Sequence, residues 1–205
     1  MQSQFYHFYN LRYKIMKVVA FNGSPRRDGN TYTLLTKVLD PIQAAGIETE
    51  IVQIGGQLVH GCAACLTCRT KTPGRCVFED DFVNDCADKC RQADAIIIGT
   101  PTYYSDVSTE VKAFIDRVGY VLGPEGALKH KPGCAVAAVR RGGATHAIDT
   151  INHFFMLNNM YIVCGTYWNM GYGRNKGECL DDAEGLKNMQ ALGENMVWIL
   201  EKIGK

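Results

Sequence analysis

Short apolar runs alternate with amphipathic stretches along this chain, and the alternation predicts its shape. Lys17-Val-Val-Ala-Phe21 is apolar enough for a strand covered on both faces, and it ends in a Gly-Ser-Pro turn. Residues 31–45 repeat Leu34, Leu35, Val38 and Ile42 at helical spacing, with Gly46 where a C-terminal cap belongs. Residues 49–54 predict a second strand, and an irregular stretch carrying cysteines follows from 55 to 80. A helix over 82–92 leads into the most apolar strand, 95–99, and then a helix over 107–121 with Val111, Phe114, Ile115 and Val118 inward. Strand 134–139, helix 145–157, strand 161–164 and helix 183–203 complete the series.

Such βα alternation predicts an α/β protein: a three-layer, doubly wound, five-stranded parallel sheet with helices on both faces. Ligands of such sheets bind beyond the C-terminal ends of the strands, at the switch point of the topology. The loops after strands one, three and four are therefore where function is expected.

With 205 residues and no internal repeat or linker, residues 16–205 read as one domain. Residues 1–15 read as an appended arm, either solvated or packed on a neighbouring subunit, because Phe5, Tyr6, Phe8, Tyr9 and Tyr13 crowd it. Asn10, Arg12 and Lys14 interrupt any signal-peptide core, which with the cysteine pattern gives a cytoplasmic expectation. A net charge of +1 offers no field for nucleic acid or an anionic membrane, and no apolar run approaches the roughly 18 residues of a membrane span.

The first loop reads Asn22-Gly-Ser-Pro-Arg-Arg-Asp-Gly-Asn-Thr31 and opens directly into a helix. Gly23 and Gly29 let the backbone curl around a ligand, Ser24 and Thr31 offer hydroxyls, Asn30 an amide, and the helix its free N–H groups: a setting for a terminal phosphate. It lacks the Lys-Ser/Thr of a nucleotide triphosphatase loop and the glycines of a dinucleotide fingerprint. A plain helix cap at Asn30 or Thr31 is the competing reading. The second loop, Thr100-Pro-Thr-Tyr-Tyr104, can set rings and backbone N–H groups beside a flat ligand such as a flavin. The third, Arg140-Arg-Gly-Gly143, can bring donors and positive charge to such a ligand's polar edge, where charge accumulates on reduction.

Nine cysteines is an odd count, and four of them follow the spacing Cys62-x2-Cys65-x2-Cys68-x7-Cys76. Gaps of two residues let successive thiolates face one centre, as in a [4Fe–4S] cluster; structural zinc and unligated thiols are the alternatives. Cys86, Cys90, Cys134 and Cys164 read as core residues, and Cys179 is left unassigned.

The loops at 22–31 and 100–104, together with Val-Lys-Ala-Phe-Ile-Asp-Arg at 111–117, resemble the NADPH-dependent FMN reductase-like branch of the flavodoxin superfamily. The cysteine spacing resembles its iron–sulfur flavoproteins, with a long last gap. The resemblance implies an FMN-dependent oxidoreductase in which Ser24, Arg26, Asn30 and Thr31 hold the phosphate. Pro101, Thr102, Tyr103 and Tyr104 would line the ring, and Arg141, Gly142 and Gly143 would approach its polar edge. It further implies NAD(P)H as electron donor, a homodimer or homotetramer, and, with a cluster on Cys62, Cys65, Cys68 and Cys76, exchange of electrons with a small molecule or a protein such as ferredoxin. An electron carrier without a dedicated small substrate, or a regulatory flavoprotein, stays open beside it.

Overall fold

The computed structural model describes residues 15–204. The reading of residues 1–15 as an arm thus falls, apart from Ile15, outside the described residues. Strands β1 (Lys17–Asn22), β2 (Glu48–Gln53), β3 (Ala95–Pro101), β4 (Pro132–Val139) and β5 (Tyr161–Ile162) form a parallel sheet in the order β2-β1-β3-β4-β5. A sixth strand, β6 (Met170–Tyr172), pairs with β4 as well, opposite Ala137–Val139, whereas β5 pairs opposite Pro132–Gly133. The fifth position of the sheet is therefore shared by two short strands rather than filled by the single strand expected over 161–164. Cys164 lies beyond β5 and is exposed, so its reading as a core residue does not hold.

Helices α1 (Asn30–Ala44) and α6 (Ala183–Ile203) cover one face of the sheet. Helices α3 (Val83–Gln92), α4 (Thr109–Leu122) and α5 (Ala144–Leu157) cover the other, and a single helical turn, α2 (Thr67–Thr70), lies in the cysteine stretch. Alternation along the strands divides the core cleanly. Val19, Phe21, Ile96 and Ile98 face α3, α4 and α5, while Val18, Ala20, Ile97 and Val136 face α1 and α6. All seven residues of β3 are buried, which is why its sequence is nearly continuous in branched apolar residues. Cys86, Cys90 and Cys134 are buried as expected. Burial pushes the Cys86 thiol up to about 12, so it stays protonated and inert. Cys179 is buried too, its thiol donating to the Asn30 carbonyl at the start of α1. Among the described residues no helix is long and apolar enough to cross a membrane.

Candidate functional site

The loops after β1 and β3 leave adjacent strands toward opposite faces of the sheet, which makes this the switch point where such folds bind ligands. The first loop is braced from beneath. Asn22, wholly buried at the end of β1, accepts the Ser24 N–H at 3.1 Å and donates to Gln53 Oε1 at 2.7 Å. Gln53 in turn donates to the carbonyls of Ser24 and Gly55, both at 2.7 Å. Gly23 donates its N–H to the Gly99 carbonyl at 2.8 Å and its own carbonyl accepts the Ser108 hydroxyl at 2.8 Å, which ties the loop to the end of β3 and the start of α4.

The first residue before α1 is Gly29, which has no side chain with which to cap the helix. Neither Asn30 nor Thr31 caps it either. The first-turn N–H groups thus face the loop without a side-chain acceptor, and the helix dipole adds partial positive charge. Ser24 and Thr31 are buried beside them, and Arg26 stands exposed at the rim, donating to the Arg174 carbonyl. Asn30 has a different task from the one expected of its amide. Its Nδ2 donates to the Asn175 carbonyl and its Oδ1 accepts the Gly177 N–H, both at 2.9 Å, so it pins the 175–177 turn and leaves one amide N–H and its backbone to a ligand.

In the second loop, Tyr103 and Asp106 exchange both backbone hydrogen bonds, at 2.9 and 3.0 Å, around Tyr104 (φ 48°) and Ser105 (φ 65°). Two successive left-handed residues make a type I′ turn without the glycine or asparagine such a turn favours, a strain of about 1–2 kcal/mol per residue. The turn throws Tyr104 fully into solvent and leaves Tyr103 about half exposed. Pro101 is buried at the strand end. Thr102 donates its N–H to the Ala138 carbonyl at 2.8 Å, yet its Oγ1 is buried with no hydrogen-bond partner.

The third loop lies against the second. A Cβ on Gly143 (φ +87°) would meet Ser105 atoms at 2.7–2.9 Å, so only glycine allows that approach. Arg140, Arg141 and Gly142 are exposed. Gly142 and Gly143 line a cavity of about 360 Å³ whose far wall is Tyr167, Trp168 and Tyr172. Asn188, buried on α6, fixes this wall with five hydrogen bonds to residues 166–168. The sequence reading missed both wall and anchor; the available signal was an asparagine on the stripe Gly185, Asn188, Met189, Leu192.

Cys62, Cys65, Cys68 and Cys76 border one cavity, roofed by Phe78 and Tyr120. Cys62 and Cys65 are exposed, Cys68 and Cys76 half-buried. Left-handed Ala64 and Leu66 let the chain wind between the first three thiols. Hydrogen bonds from the Thr67 hydroxyl and N–H hold the Cys65 thiol below its ordinary range, whereas burial raises that of Cys68. A single zinc ion, with bonds near 2.3 Å, would need the sulfurs about 3.8 Å apart. Among the described residues no three His, Cys, Asp or Glu side chains are gathered so as to hold one ion.

One residue of this region escaped the sequence reading. Arg117, only 1% exposed, sends its guanidinium from α4 into the cysteine loop. It donates to Cys76 Sγ from Nε (3.4 Å) and Nη2 (3.2 Å), to the His60 carbonyl (3.0 Å), to the Phe78 carbonyl (3.4 Å) and to Asp81. The signal was its place on the apolar stripe of Phe114, Val118 and Val121, where a solvated arginine has no business.

Residues 16–175 match the model of the family described as NADPH-dependent FMN reductase. An iron–sulfur flavoprotein of Methanocaldococcus jannaschii is 34% identical over 202 residues, covering 93% of this chain and 100% of that protein. The iron–sulfur flavoprotein of Methanosarcina thermophila is 30% identical over 192 residues, covering 93% and 98%. Among solved structures, a WrbA-like flavodoxin from Agrobacterium tumefaciens superposes with a TM-score of 0.63 at 16% identity, over 92% of this chain and 99% of that one. FerB, an NAD(P)H:acceptor oxidoreductase of Paracoccus denitrificans, does so at 0.62 and 18%, over 91% and 98%. The parallel sheet, the loops at its switch point and this likeness agree: the chain belongs to the NADPH-dependent FMN reductase family and is a flavoprotein oxidoreductase of flavodoxin-like fold.

Proposed function

We propose that the three loops hold FMN, that Cys62, Cys65, Cys68 and Cys76 hold a [4Fe–4S] cluster, and that the protein passes electrons between the two and a partner. The observation carrying the first part is the Thr102 hydroxyl, buried and unpartnered on the loop that the family reading assigns to the ring. Native proteins seldom leave such a group unsatisfied unless a ligand completes it.

In this reading Ser24, Arg26, Thr31 and the uncapped start of α1 grip the phosphate, with Asn30 contributing its backbone N–H. Pro101 and Thr102 shape the ring site, Thr102 supplying the hydroxyl. Tyr103 and Tyr104 exclude water from one side. Arg141 with the Gly142 and Gly143 backbone places positive charge and donors at the polar edge. FMN, when bound, supplies hydride and single-electron chemistry, and a cubane cluster single-electron chemistry alone. The names of the relatives support the cluster, as does the placing of all four cysteines around one cavity. NAD(P)H as donor, an acceptor such as ferredoxin or a small molecule, a cytoplasmic setting and a homodimeric or homotetrameric assembly belong to the same proposal.

Replacing Thr102 with valine removes a hydroxyl that has no partner in the free protein. Apoprotein stability is expected to stay within about 0.5 kcal/mol or rise, while FMN affinity falls roughly three- to tenfold, the worth of one hydrogen bond. Calorimetric melting and fluorimetric FMN titration of the same preparation read both; a stability loss with unchanged affinity would refute the assignment. For the cluster, protein purified without oxygen should contain about four iron and four sulfide per FMN. Flavin without iron would leave a plain FMN reductase and return the four cysteines to thiol chemistry or structure.

A further inference from the structure

Arg117 joins the two halves of the cysteine loop, and the geometry points to a function for that junction. We infer that Arg117 is a positioning residue for the cluster site: it clamps residues 60 and 76–81 together and presents two N–H donors to the Cys76 sulfur, thereby setting the reduction potential of what the four cysteines hold. This inference rests on the cluster reading proposed above.

Every interaction that Arg117 makes falls within the segment 60–81. His60 and Phe78 give it carbonyls, Asp81 a carboxylate whose side chain is 2% exposed, and Cys76 its sulfur. The Phe78 ring lies 5.2 Å from the guanidinium carbon and helps screen the pair from water. The Asn84 side chain braces the same strip, its Oδ1 accepting the Cys76 N–H at 2.8 Å and its Nδ2 donating to the carbonyls of Cys76 and Phe78. Cys76 is the ligand set apart from the others by the long gap, and thus the one that most needs to be placed by the fold. Donors to a ligating sulfur stabilise the reduced, more negative state and raise the potential; positive charge nearby acts in the same way and negative charge in the opposite one. Arg117 and its counter-ion therefore pull in opposite directions.

The test uses the full chain, purified without oxygen, with FMN and iron content measured and the potential read by EPR-monitored titration. Arg117→Lys keeps a cation for Asp81 but loses the fork toward sulfur, and its cluster potential is expected to fall by about 59 mV or more, a tenfold change in the one-electron equilibrium. Asp81→Asn keeps the fork, removes the opposing charge, and is expected to raise the potential. Opposite shifts with FMN content unchanged support the inference, since a merely structural role gives no such pairing of signs. Wild-type potential and iron content in both variants would overturn it. Wild-type protein without iron would defeat the cluster reading instead. Hydrogen exchange over 60–81 then decides the positioning role: deprotection in Arg117→Lys upholds it, and an unchanged pattern removes it.

Discussion

Replacing Gly55 with alanine should cost the protein most of its affinity for FMN while leaving the fold standing. A Cβ at this position would lie 2.3 Å from the Ser24 carbonyl carbon, 2.4 Å from its oxygen and 2.5 Å from the Gly23 carbonyl carbon. All three are backbone atoms of the loop after β1, proposed above to hold the phosphate, so no side chain can swing aside. Either the loop or the start of the 55–56 turn must move by about an ångström. The loop is the softer of the two in one respect only: its inner face is fixed by Asn22, Gln53 and Ser108, but its ligand face is closed by the ligand itself. Displacing it removes two or more charge-assisted hydrogen bonds to the phosphate, each worth about 1.5–3 kcal/mol, so the dissociation constant should rise at least a hundredfold. Gly46→Ala is the control. It sits at positive φ (+78°) but has nothing within 4 Å of the added carbon, so it should cost about 1–2 kcal/mol of stability and leave FMN affinity intact. Equal affinity in Gly55→Ala and wild type would show that the phosphate is not held by this loop.

The second large effect is on stability. Arg117→Met keeps the bulk of the side chain and removes its charge, leaving Asp81 buried without its counter-ion. Breaking a buried pair on one side costs about 3–5 kcal/mol, which in a domain of this size lowers the melting temperature by roughly 6–20 °C. The pH dependence carries a sharper signature. In the native protein, burial pushes the Asp81 carboxyl up, but the Arg117 guanidinium and the N–H groups of His60 and Val83 outweigh it and hold the group below its ordinary value. A lowered carboxyl stabilises the fold above the unfolded value of about 3.9 and loses that contribution only as pH falls through the folded value. Without Arg117 the burial remains and the balance reverses. The carboxyl then titrates above its unfolded value, and stability declines as pH rises through that range. Melting curves from pH 4 to 8 should be nearly flat for this contribution in the wild type and fall with rising pH in the variant. Parallel curves would mean that the pair does not hold the loop as described.

What the sequence made legible, and what it did not, follows from how far apart the interacting residues are. The bounds of α6 were readable to the residue because their causes are local: Asp182 caps the Gly185 N–H at the start, and Gly204 follows the last turn. The positions of the three loops proposed for the site were equally local, since each follows directly from a strand exit. The split fifth strand was not, because Met170-Gly-Tyr172 has no strand pattern and becomes one only where β4 offers an open edge. The structural part played by Asn30 was hidden for the same reason: its amide binds residues 145 and 147 positions away. Gln53, Asn188 and Arg117 likewise act through partners that the chain brings together only on folding.

The division of the last sheet position between β5 and β6 also bears on how copies of this protein can meet. That rim presents two residues, a seven-residue excursion and then three more, never a continuous row of free peptide groups. The opposite rim, β2, carries Glu48 and Glu50, held in ion pairs by Lys17 and, for Glu50, also by Lys89. One border is too broken and the other too charged to template an added strand. Among the described residues, self-association is therefore left to helix faces and loops, and neither sheet border offers a ready-made seam along which to polymerise.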